Sequence, residues 1–306
     1  MSGALVIEQV LNGVQFGVML FLMAAGLTLV FGVMGLINLA HGSLYMVGAF
    51  VTAWVAGTTG SFWLGLLAGT LAAAATGALI EIVVIRRLYE RDHLDQVLAT
   101  FALILIFSEG TRMVFGSSPL WLEIPPSLSF AVTLPGGAPY PIYRLALIGS
   151  GLLLAAALFW LIQRTRLGMR IRAGENDREM IRALGVDIRT LYTIVFALGA
   201  GLAGLAGALI GALQSVQVGM GEPVLILAFV VIVIGGIGSI KGALIGSILV
   251  GLVDTLGRIF LPVLFGLFMD ASQATSIGAA LAAMLIYILM AMILALRPSG
   301  LFPANE

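Results

Sequence analysis

The residues best suited to chemistry in an apolar setting lie between positions 35 and 42 of the chain. Asn38, His41 and Gly42, preceded by Gly35, interrupt two long apolar stretches. Such a break frees backbone polar groups, and a membrane tolerates them only where protein or a water-filled cavity satisfies them. Two interpretations stay open from the residues alone. Either Asn38 and His41 bond to backbone carbonyls in a tight turn, or the break lines a translocation path.

A second glycine-rich interruption closes the apolar stretch 223–238, which ends in Gly235-Gly236-Ile237-Gly238. This stretch is short for a membrane crossing, which indicates a broken or re-entrant element. A pattern of three residues also recurs 200 positions later: Gly35, Gly42 and Leu44 become Gly235, Gly242 and Leu244. The recurrence favours a parallel internal repeat, although three identities in a glycine-rich membrane sequence also arise by chance.

Charged residues within the apolar stretches are few, and four of them form two pairs at helical spacing: Glu109 with Arg112, and Asp254 with Arg258. Residues three or four apart share one helix face, so each pair can neutralise itself. Because a buried charge is costly in lipid, we predict structural ion pairs that face protein or water. Glu81 lies near the inner end of its stretch and can reach toward Arg86 or pair with the inner loop.

Sequence patterns for hydrolysis, nucleotide binding and metal binding are absent. The chain has no Walker A, HExxH or GxSxG motif, no cysteine, and two histidines, His41 and His93. We therefore predict no catalytic residue, no metal site and no cofactor in this chain. No series of acidic residues runs through the middle of the apolar stretches, which disfavours a proton- or sodium-driven mechanism.

The composition defines the solvent in which this chain folds. Of its 306 residues, 60% are hydrophobic and 10% charged, and the mean hydropathy is +1.13. Soluble domains carry about 25% charged residues, so this chain cannot cover a globular surface with water-facing groups. The composition excludes a cytosolic enzyme, a nucleic-acid binder and a disordered protein, and it predicts a lipid membrane as the chain's surroundings.

Apolar segments of about 20 residues, enough to cross a hydrocarbon core of about 30 Å, predict the membrane elements. Nine segments qualify, and we expect between eight and ten elements: 10–33, 38–57, 62–85, 96–115, 142–162, 191–214, 223–238, 242–262 and 275–296. The predicted fold class is an all-α polytopic integral membrane protein, with residues 1–306 in a single transmembrane domain.

The positions of arginine and lysine predict the orientation of these spans. Twelve of the fifteen basic residues fall on one side, seven of them in the segment 163–190, whereas the connection 116–141 has none. The basic side is therefore cytoplasmic, the N-terminus is outside and the C-terminus is inside. The connection 116–141, which is rich in proline, glycine and serine, is predicted to be an ordered external loop with a short hairpin.

The segment 163–190, which we call the coupling segment, is the sizeable soluble piece on the inner side. Asn176 or Asp177 can cap a helix that runs to about Leu184 and ends at Gly185. Met180, Ile181 and Leu184 form an apolar stripe on this helix. The acidic residues at its start are Glu175, Asp177 and Glu179. A helix lying on anionic lipid and a helix docking a cytoplasmic partner both fit this pattern. The acids favour the partner, because a lipid-surface helix has no use for them.

Several motifs together carry a family resemblance. They are Gly35-Leu36-Ile37-Asn38-Leu39-Ala40-His41-Gly42 followed by Tyr45-Met46 and Gly48, Arg172 to Asn176 with Ala183 to Val186, Gly235 to Ile240 with Gly242-Ala243, and Arg297-Pro298-Ser299-Gly300-Leu301. In these motifs the chain resembles the LivH-type permease subunits of branched-chain amino-acid ATP-binding-cassette importers. The resemblance spans essentially the whole chain.

This resemblance implies that the chain lies in the bacterial inner membrane and that it works with a set of partner proteins. They are a second, LivM-like permease subunit, two cytoplasmic ATPase subunits that use ATP, and an external solute-binding protein. The helix near 176–184 would then fit a cleft on the ATPase and transmit its closure to the spans. The translocation path would lie between the two permeases, with these residues near it: Asn38, His41, Gly42, Gly235, Gly236 and Gly238.

Two departures from the family pattern bear on the cargo. Lys241 stands where the family often has proline, and residues 224–234 are almost wholly apolar where many relatives carry polar residues. Besides branched-chain amino acids, the resemblance therefore leaves urea, amides and aromatic or hydrophobic acids open as cargo. A secondary transporter that works alone is a further alternative.

Overall fold

The computed structural model describes residues 3–89 and 91–302, which are mostly α-helical. The helices are α1 (Gly3–Met34), α2 (His41–Thr59), α3 (Phe62–Val83), α4 (His93–Phe115), α5 (Ile142–Arg164), α6 (Arg166–Asn176), α7 (Arg178–Ala183), α8 (Ile188–Ile210), α9 (Gly221–Gly235), α10 (Ile240–Phe265) and α11 (Ala271–Leu296). Two short strands, β1 (Ala131–Thr133) and β2 (Pro139–Pro141), pair antiparallel.

Each of the nine predicted apolar segments corresponds to one helix of the structure. Within the described residues, the helices that are long and apolar enough to cross a membrane are seven: α1, α3, α4, α5, α8, α10 and α11. Helix α2 has the length but carries His41 and several hydroxyl groups. Helix α9 has 15 residues, which at about 1.5 Å each is less than the hydrocarbon thickness. The prediction of a short, interrupted seventh element is thus confirmed.

The chain forms two compact units. One comprises Met1–Phe21, Pro126–Leu152 and Phe229–Glu306, and the other comprises Leu22–Pro125 and Leu153–Ala228. Three helices, α1, α5 and α9, contribute to both units.

In the unit that contains α2, α3 and α8, glycines set the distances between helices. A Cβ on Gly48 of α2 would strike the backbone of Gly204 in α8, and one on Gly26 of α1 would strike the carbonyl of Gly199. Helix α3 packs on α8 in the same way, with Gly77 against Ala200 and Ala73 against Gly204. Small residues at these crossings let the backbones touch. The resulting van der Waals packing stabilises the helix pairs, because burying apolar side chains gains little free energy in lipid.

The other unit uses the same device between α1 and α10. Gly17 touches the Ile248 backbone and has no room for a side chain, and Gly13 lies tightly against Gly251 and Leu252. Helices α10 and α11 meet where Gly278 touches Pro262, which lies inside α10. The connection before α5 holds the predicted hairpin, in which Val132 pairs with Tyr140.

The glycine crossing between α2 and α8 predicts a sharp difference between two substitutions in one helix. Gly48→Ala places a methyl group against the Gly204 backbone, whereas Gly57→Ala in the same helix meets nothing within 4 Å. We expect Gly48→Ala to lower the free energy of unfolding by about 1–3 kcal/mol, the usual cost of overpacking. Gly57→Ala should leave it unchanged or raise it. Thermal melting of the purified protein in detergent checks this, and equal melting of both variants would contradict the crossing.

Candidate functional site

The break between α1 and α2 is compact and polar in the middle of apolar packing. Helix α1 ends at Met34, and Gly35 turns the chain with a φ of +64°. The Asn38 side-chain oxygen accepts a hydrogen bond from the Ala40 amide at 3.0 Å, just before α2 begins at His41. This bond satisfies a free amide at the start of α2. Asn38 therefore orders the turn.

His41 is wholly buried at a point where three helices meet. Its Nε2 lies against Gly26 of α1, which in turn contacts Gly199 of α8. The His41 imidazole interacts with the Met23 backbone, whereas within residues 3–89 and 91–302 the Asn38 amide nitrogen has no well-aligned hydrogen-bond partner. Buried polar groups without partners are costly and uncommon. The break thus contains a buried polar group that the turn itself does not use.

Gly42 brings this break against the start of α9. The backbones of Gly42 and Gly221 contact each other so closely that neither residue could carry a Cβ. Asn38, His41 and Gly42 therefore form one cluster with the first residue of α9. The proposed role of this cluster in translocation stays a prediction, and its placement accounts for the glycine at position 42.

The second glycine element lies between α9 and α10. Gly236 and Gly238 have φ values of +105° and +83°, which side chains disfavour. The hydroxyl of Ser239 accepts a hydrogen bond from the Gly242 amide at 3.0 Å and so caps α10. Gly235 and Gly242 touch through their backbones. Gly235, Gly236 and Gly238 thus lie together, in a different compact unit from Asn38, His41 and Gly42.

The C-terminal segment, residues 297–302, binds the end of α9. The amides of Leu301 and Phe302 donate to the carbonyls of Ile234 and Gly235, each at 2.9 Å. Gly300, with a φ of +84°, lies directly on Gly236. These bonds satisfy carbonyls that a helix end leaves free. Two motifs that the sequence presents 60 residues apart thus form one structure, a contact that sequence reasoning did not predict.

Lys241, the departure from the family pattern, belongs to this same structure. Its ammonium lies 5.1 Å from the centre of the Phe302 ring, a distance typical of a cation–π contact. The unusual lysine thus has a partner in the C-terminal segment.

The coupling segment contains the predicted capped helix. Asp177 accepts a hydrogen bond from the Met180 amide at 2.9 Å and caps α7, and Gly185 follows its end with a φ of +81°. Both boundaries were predicted and are confirmed. Helix α6 was missed, although Thr165, which caps it through the Gly168 amide at 3.1 Å, is a favourable residue for a helix start. The side chains of Asn176 and Glu179 lie outside the described part of the chain.

The predicted apolar stripe of α7 divides between two faces. Ile181 is 4% exposed, whereas Met180 and Leu184 are 59% and 75% exposed. Ile181 helps to line a groove of about 390 Å³ between α6 and α7, together with Arg166, Met169, Arg170, Ala173 and Val186. Met180 and Leu184 point away from the packed chain, so they are available to a partner.

Two carboxylates of the coupling segment have pKa values shifted in opposite directions. Burial raises the pKa of Glu175, because it disfavours the charged form. Hydrogen bonds from Thr190, one of them from its hydroxyl at 2.5 Å, lower the pKa of Asp187. Asp187 also accepts from the Arg189 amide at 3.0 Å and caps α8. The segment is therefore fixed by an ionised cap where it joins α8.

A cluster at the C-terminal end of α3 was only partly anticipated. Glu81 binds Arg86 as predicted, at 2.9 Å, but its carboxylate also accepts hydrogen bonds from Tyr89 at 2.8 Å and Thr193 at 2.6 Å. We call these four residues the Glu81 cluster. Thr193 lies in α8, more than 100 residues from Glu81, and no signal in the sequence connects them.

The two predicted helical ion pairs form, and they differ in the burial of the acid, since the two arginines are similarly exposed. Glu109 and Arg112 are 2.7 Å apart and largely exposed. Asp254 is buried and accepts two bonds from the Arg258 Nε at 2.9 Å. Exposed pairs contribute little to stability, so Asp254 with Arg258 is the more consequential pair of the two.

The amino-acid sequence of the chain matches a known protein family. The family model described as branched-chain amino acid transport system, permease component, matches residues 9–296. The permease protein BraD of a high-affinity branched-chain amino-acid transport system of Pseudomonas aeruginosa is 30% identical, over 82% of this chain and 86% of its own length. LivH of Escherichia coli is 29% identical over 83% and 87%. The ribose import permease RbsC of E. coli is 27% identical over 76% and 72%.

The relatives and the seven apolar helices together indicate a multi-pass protein of the bacterial inner membrane.

The contact between the C-terminal segment and α9 predicts a local effect of one substitution. Gly300→Val forces a branched side chain into a φ of +84° and against Gly236, so the segment should detach. Since an unpaired buried carbonyl costs about 1–3 kcal/mol, we expect the amides of Leu301 and Phe302 to exchange with deuterium at least about tenfold faster. Ser299→Ala, at an exposed neighbouring position, is the control. Unchanged exchange in Gly300→Val would refute the contact.

Proposed function

Since the chain belongs to the family of permease components of branched-chain amino-acid transport systems, we propose that it forms half of the translocation path of an ATP-driven importer. Its cargo in this proposal is branched-chain or related amino acids, as named for BraD and LivH. The observation that carries the proposal is the family match over residues 9–296, together with seven helices suited to crossing a membrane.

The energy for uptake comes, in this proposal, from other subunits. The sequence contains no nucleotide-binding motif and no intramembrane series of acids, so two cytoplasmic ATPase subunits supply the work. A second, LivM-like permease completes the path, and an external solute-binding protein delivers the cargo. The clustering of arginines in residues 163–190 supports a cytoplasmic position for the coupling segment.

The ATPase docks at α7 of the coupling segment. Met180 and Leu184 remain exposed on a helix whose third apolar residue, Ile181, is buried. Leaving a large apolar side chain in water forgoes about 1.5–3 kcal/mol relative to burial, which supports a partner that covers both. The Asp177 cap and the turn at Gly185 hold the helix in place for this contact.

The importer hypothesis predicts that transport depends on the complete set of subunits. Reconstituted in liposomes with its ATPases, second permease and binding protein, the chain should support leucine, isoleucine and valine uptake that requires ATP. The chain alone should be inert under an imposed proton or sodium gradient. Gradient-driven uptake by the chain alone would contradict the proposal and favour a secondary transporter.

The same assay decides the cargo. Uptake of urea, an amide or an aromatic acid in place of branched-chain amino acids would retain the importer and change its substrate. The similarity to a ribose permease indicates that one permease architecture serves unlike solutes. The almost wholly apolar stretch 224–234 favours an apolar cargo if it lines the path.

The docking hypothesis predicts that truncating the exposed apolar pair weakens ATPase binding and lowers uptake with it. The double variant Met180→Ala and Leu184→Ala should insert normally, because neither side chain is packed in the chain. We expect uptake and co-purification of the ATPases to fall at least about tenfold, as for truncation of interface anchors worth 2 kcal/mol or more.

Met113→Ala is the matched control for this double variant, since Met113 is 84% exposed on α4, outside the coupling segment. Full uptake and full co-purification in the double variant would refute docking at α7.

A further inference from the structure

We propose that the Glu81 cluster is a rigid joint, through which movement of the coupling segment reaches α3 and the end of α1. This inference rests on the proposed function and deepens it. It assigns positioning roles to Glu81, Arg86, Tyr89 and Thr193, none of which contacts cargo or nucleotide in the proposal.

The first argument is the completeness of the hydrogen bonding around one buried carboxylate. Glu81 is 0% exposed. Arg86 donates to both of its oxygens, from Nε at 3.2 Å and from Nη2 at 2.9 Å. Tyr89 donates to Oε1 and Thr193 to Oε2, and Arg86 Nη2 also donates to the Thr193 hydroxyl at 2.9 Å. A network with every member satisfied rigidifies its surroundings.

The second argument is the position of Thr193. Helix α8 follows the coupling segment directly and is capped by Asp187. The Thr193 hydroxyl, whose one hydrogen bonds Glu81, also lies 3.0 Å from the Arg189 carbonyl, in the second turn after that cap. A displacement of the coupling segment, which joins α5 to α8, acts directly on these first turns of α8. The cluster holds them to α3.

The third argument is the reach of Tyr89. Its hydroxyl lies 3.8 Å from the Met34 sulfur, at the last residue of α1. Its ring packs edge-on against Tyr192 of α8 at 5.1 Å. Met34 immediately precedes the Gly35–Gly42 break, so one side chain connects α8 to the helix end that leads into the break. Gln96 of α4 holds the loop that carries Tyr89, by donating to the carbonyls of Leu88 and Arg91.

The fourth argument is that α3 and α8 are packed too closely to slide. Gly77 meets Ala200, Gly204 meets Ala73, and Gly201 meets Ala74 along the shared face. Interdigitated small residues resist translation because each step forces a Cβ against a backbone. The two helices therefore move as one body, fixed at one end by the Glu81 cluster.

Stability alone does not explain an ionic cluster at this place. Well-packed apolar residues often stabilise a buried site as much as an ion pair does, or more. An ionic network, in contrast, specifies one arrangement of its members. A joint that transmits force needs this uniqueness more than it needs stability.

The test separates uptake from ATP hydrolysis in the full complex. Thr193→Val removes the α8 hydroxyl and leaves the bonds of Glu81 to Arg86 and Tyr89. We expect ATP hydrolysis to stay within about twofold while uptake falls at least about fivefold, the lower range of allosteric couplings. Thr193→Ser should restore uptake, because it restores the hydroxyl.

Thr70→Val is the matched control, because in the described part of the chain the Thr70 hydroxyl bonds only to the Leu66 carbonyl of its own helix. Uptake and hydrolysis that change in the same proportion in Thr193→Val, or that do not change at all, would overturn the joint.

A reversible covalent bridge tests whether α3 and α8 move together. The chain has no cysteine, and a Cβ on Gly201 would lie 3.4 Å from that of Ala74, near the usual disulfide separation of about 3.8 Å. The double variant Ala74→Cys and Gly201→Cys should keep uptake within about twofold after oxidation, since a rigid body tolerates an internal bond. Loss of uptake on oxidation and its return with reductant would show that the helices slide, which overturns the joint.

The unmodified complex is assayed in parallel so that two failures are distinguished. Absence of ATP-driven uptake there contradicts the proposed function and the joint together. Uptake there, with an unchanged ratio of uptake to hydrolysis in Thr193→Val, overturns the joint alone.

Discussion

Close contact between helix backbones is the constraint on which the rest of this structure depends. Lipid tails are as apolar as leucine, so helices in a membrane gain little from burying large side chains against each other. They gain instead from backbone packing, which only small residues allow. The crossings Gly48 with Gly204 and Gly26 with Gly199 bring α2 and α1 onto α8. Both crossings lie near the Gly35–Gly42 break, whose His41 fills the space beside Gly26.

The membrane imposes a further constraint at the two breaks between helices. A helix end in a membrane must satisfy its free amides and carbonyls within the protein. Before α2 this is done by one side chain, Asn38, and after α9 by a distant piece of backbone, residues 301 and 302. The first solution is local, and among the described residues it leaves the Asn38 amide nitrogen without a well-aligned partner. The second makes the end of α9 depend on the C-terminal segment.

Periodicity and local chemistry made the helices and their ends predictable. Nine apolar segments matched nine helices, and the Asp177 cap and the Gly185 turn followed from residue types that favour those positions. Contacts over long sequence separations were not predictable. The bond between Thr193 and Glu81 and the docking of Leu301 on Ile234 depend on how helices are arranged in space, and a single sequence does not contain that information. Helix α6 was missed because its polar composition lacks an apolar run of membrane length.

The apolar stripe of α7 illustrates why a pattern predicts an element better than it predicts a face. Three residues at helical spacing predicted one surface, yet Ile181 packs inward beside Val186 while Met180 and Leu184 stay exposed. In a helix of six residues a single turn is enough to divide the stripe between two partners. Ile181 packs α7 against the rest of the coupling segment, and Met180 and Leu184 are available for docking. This division suits a transmitting element, because a contact can carry force only when the helix is anchored on its other side.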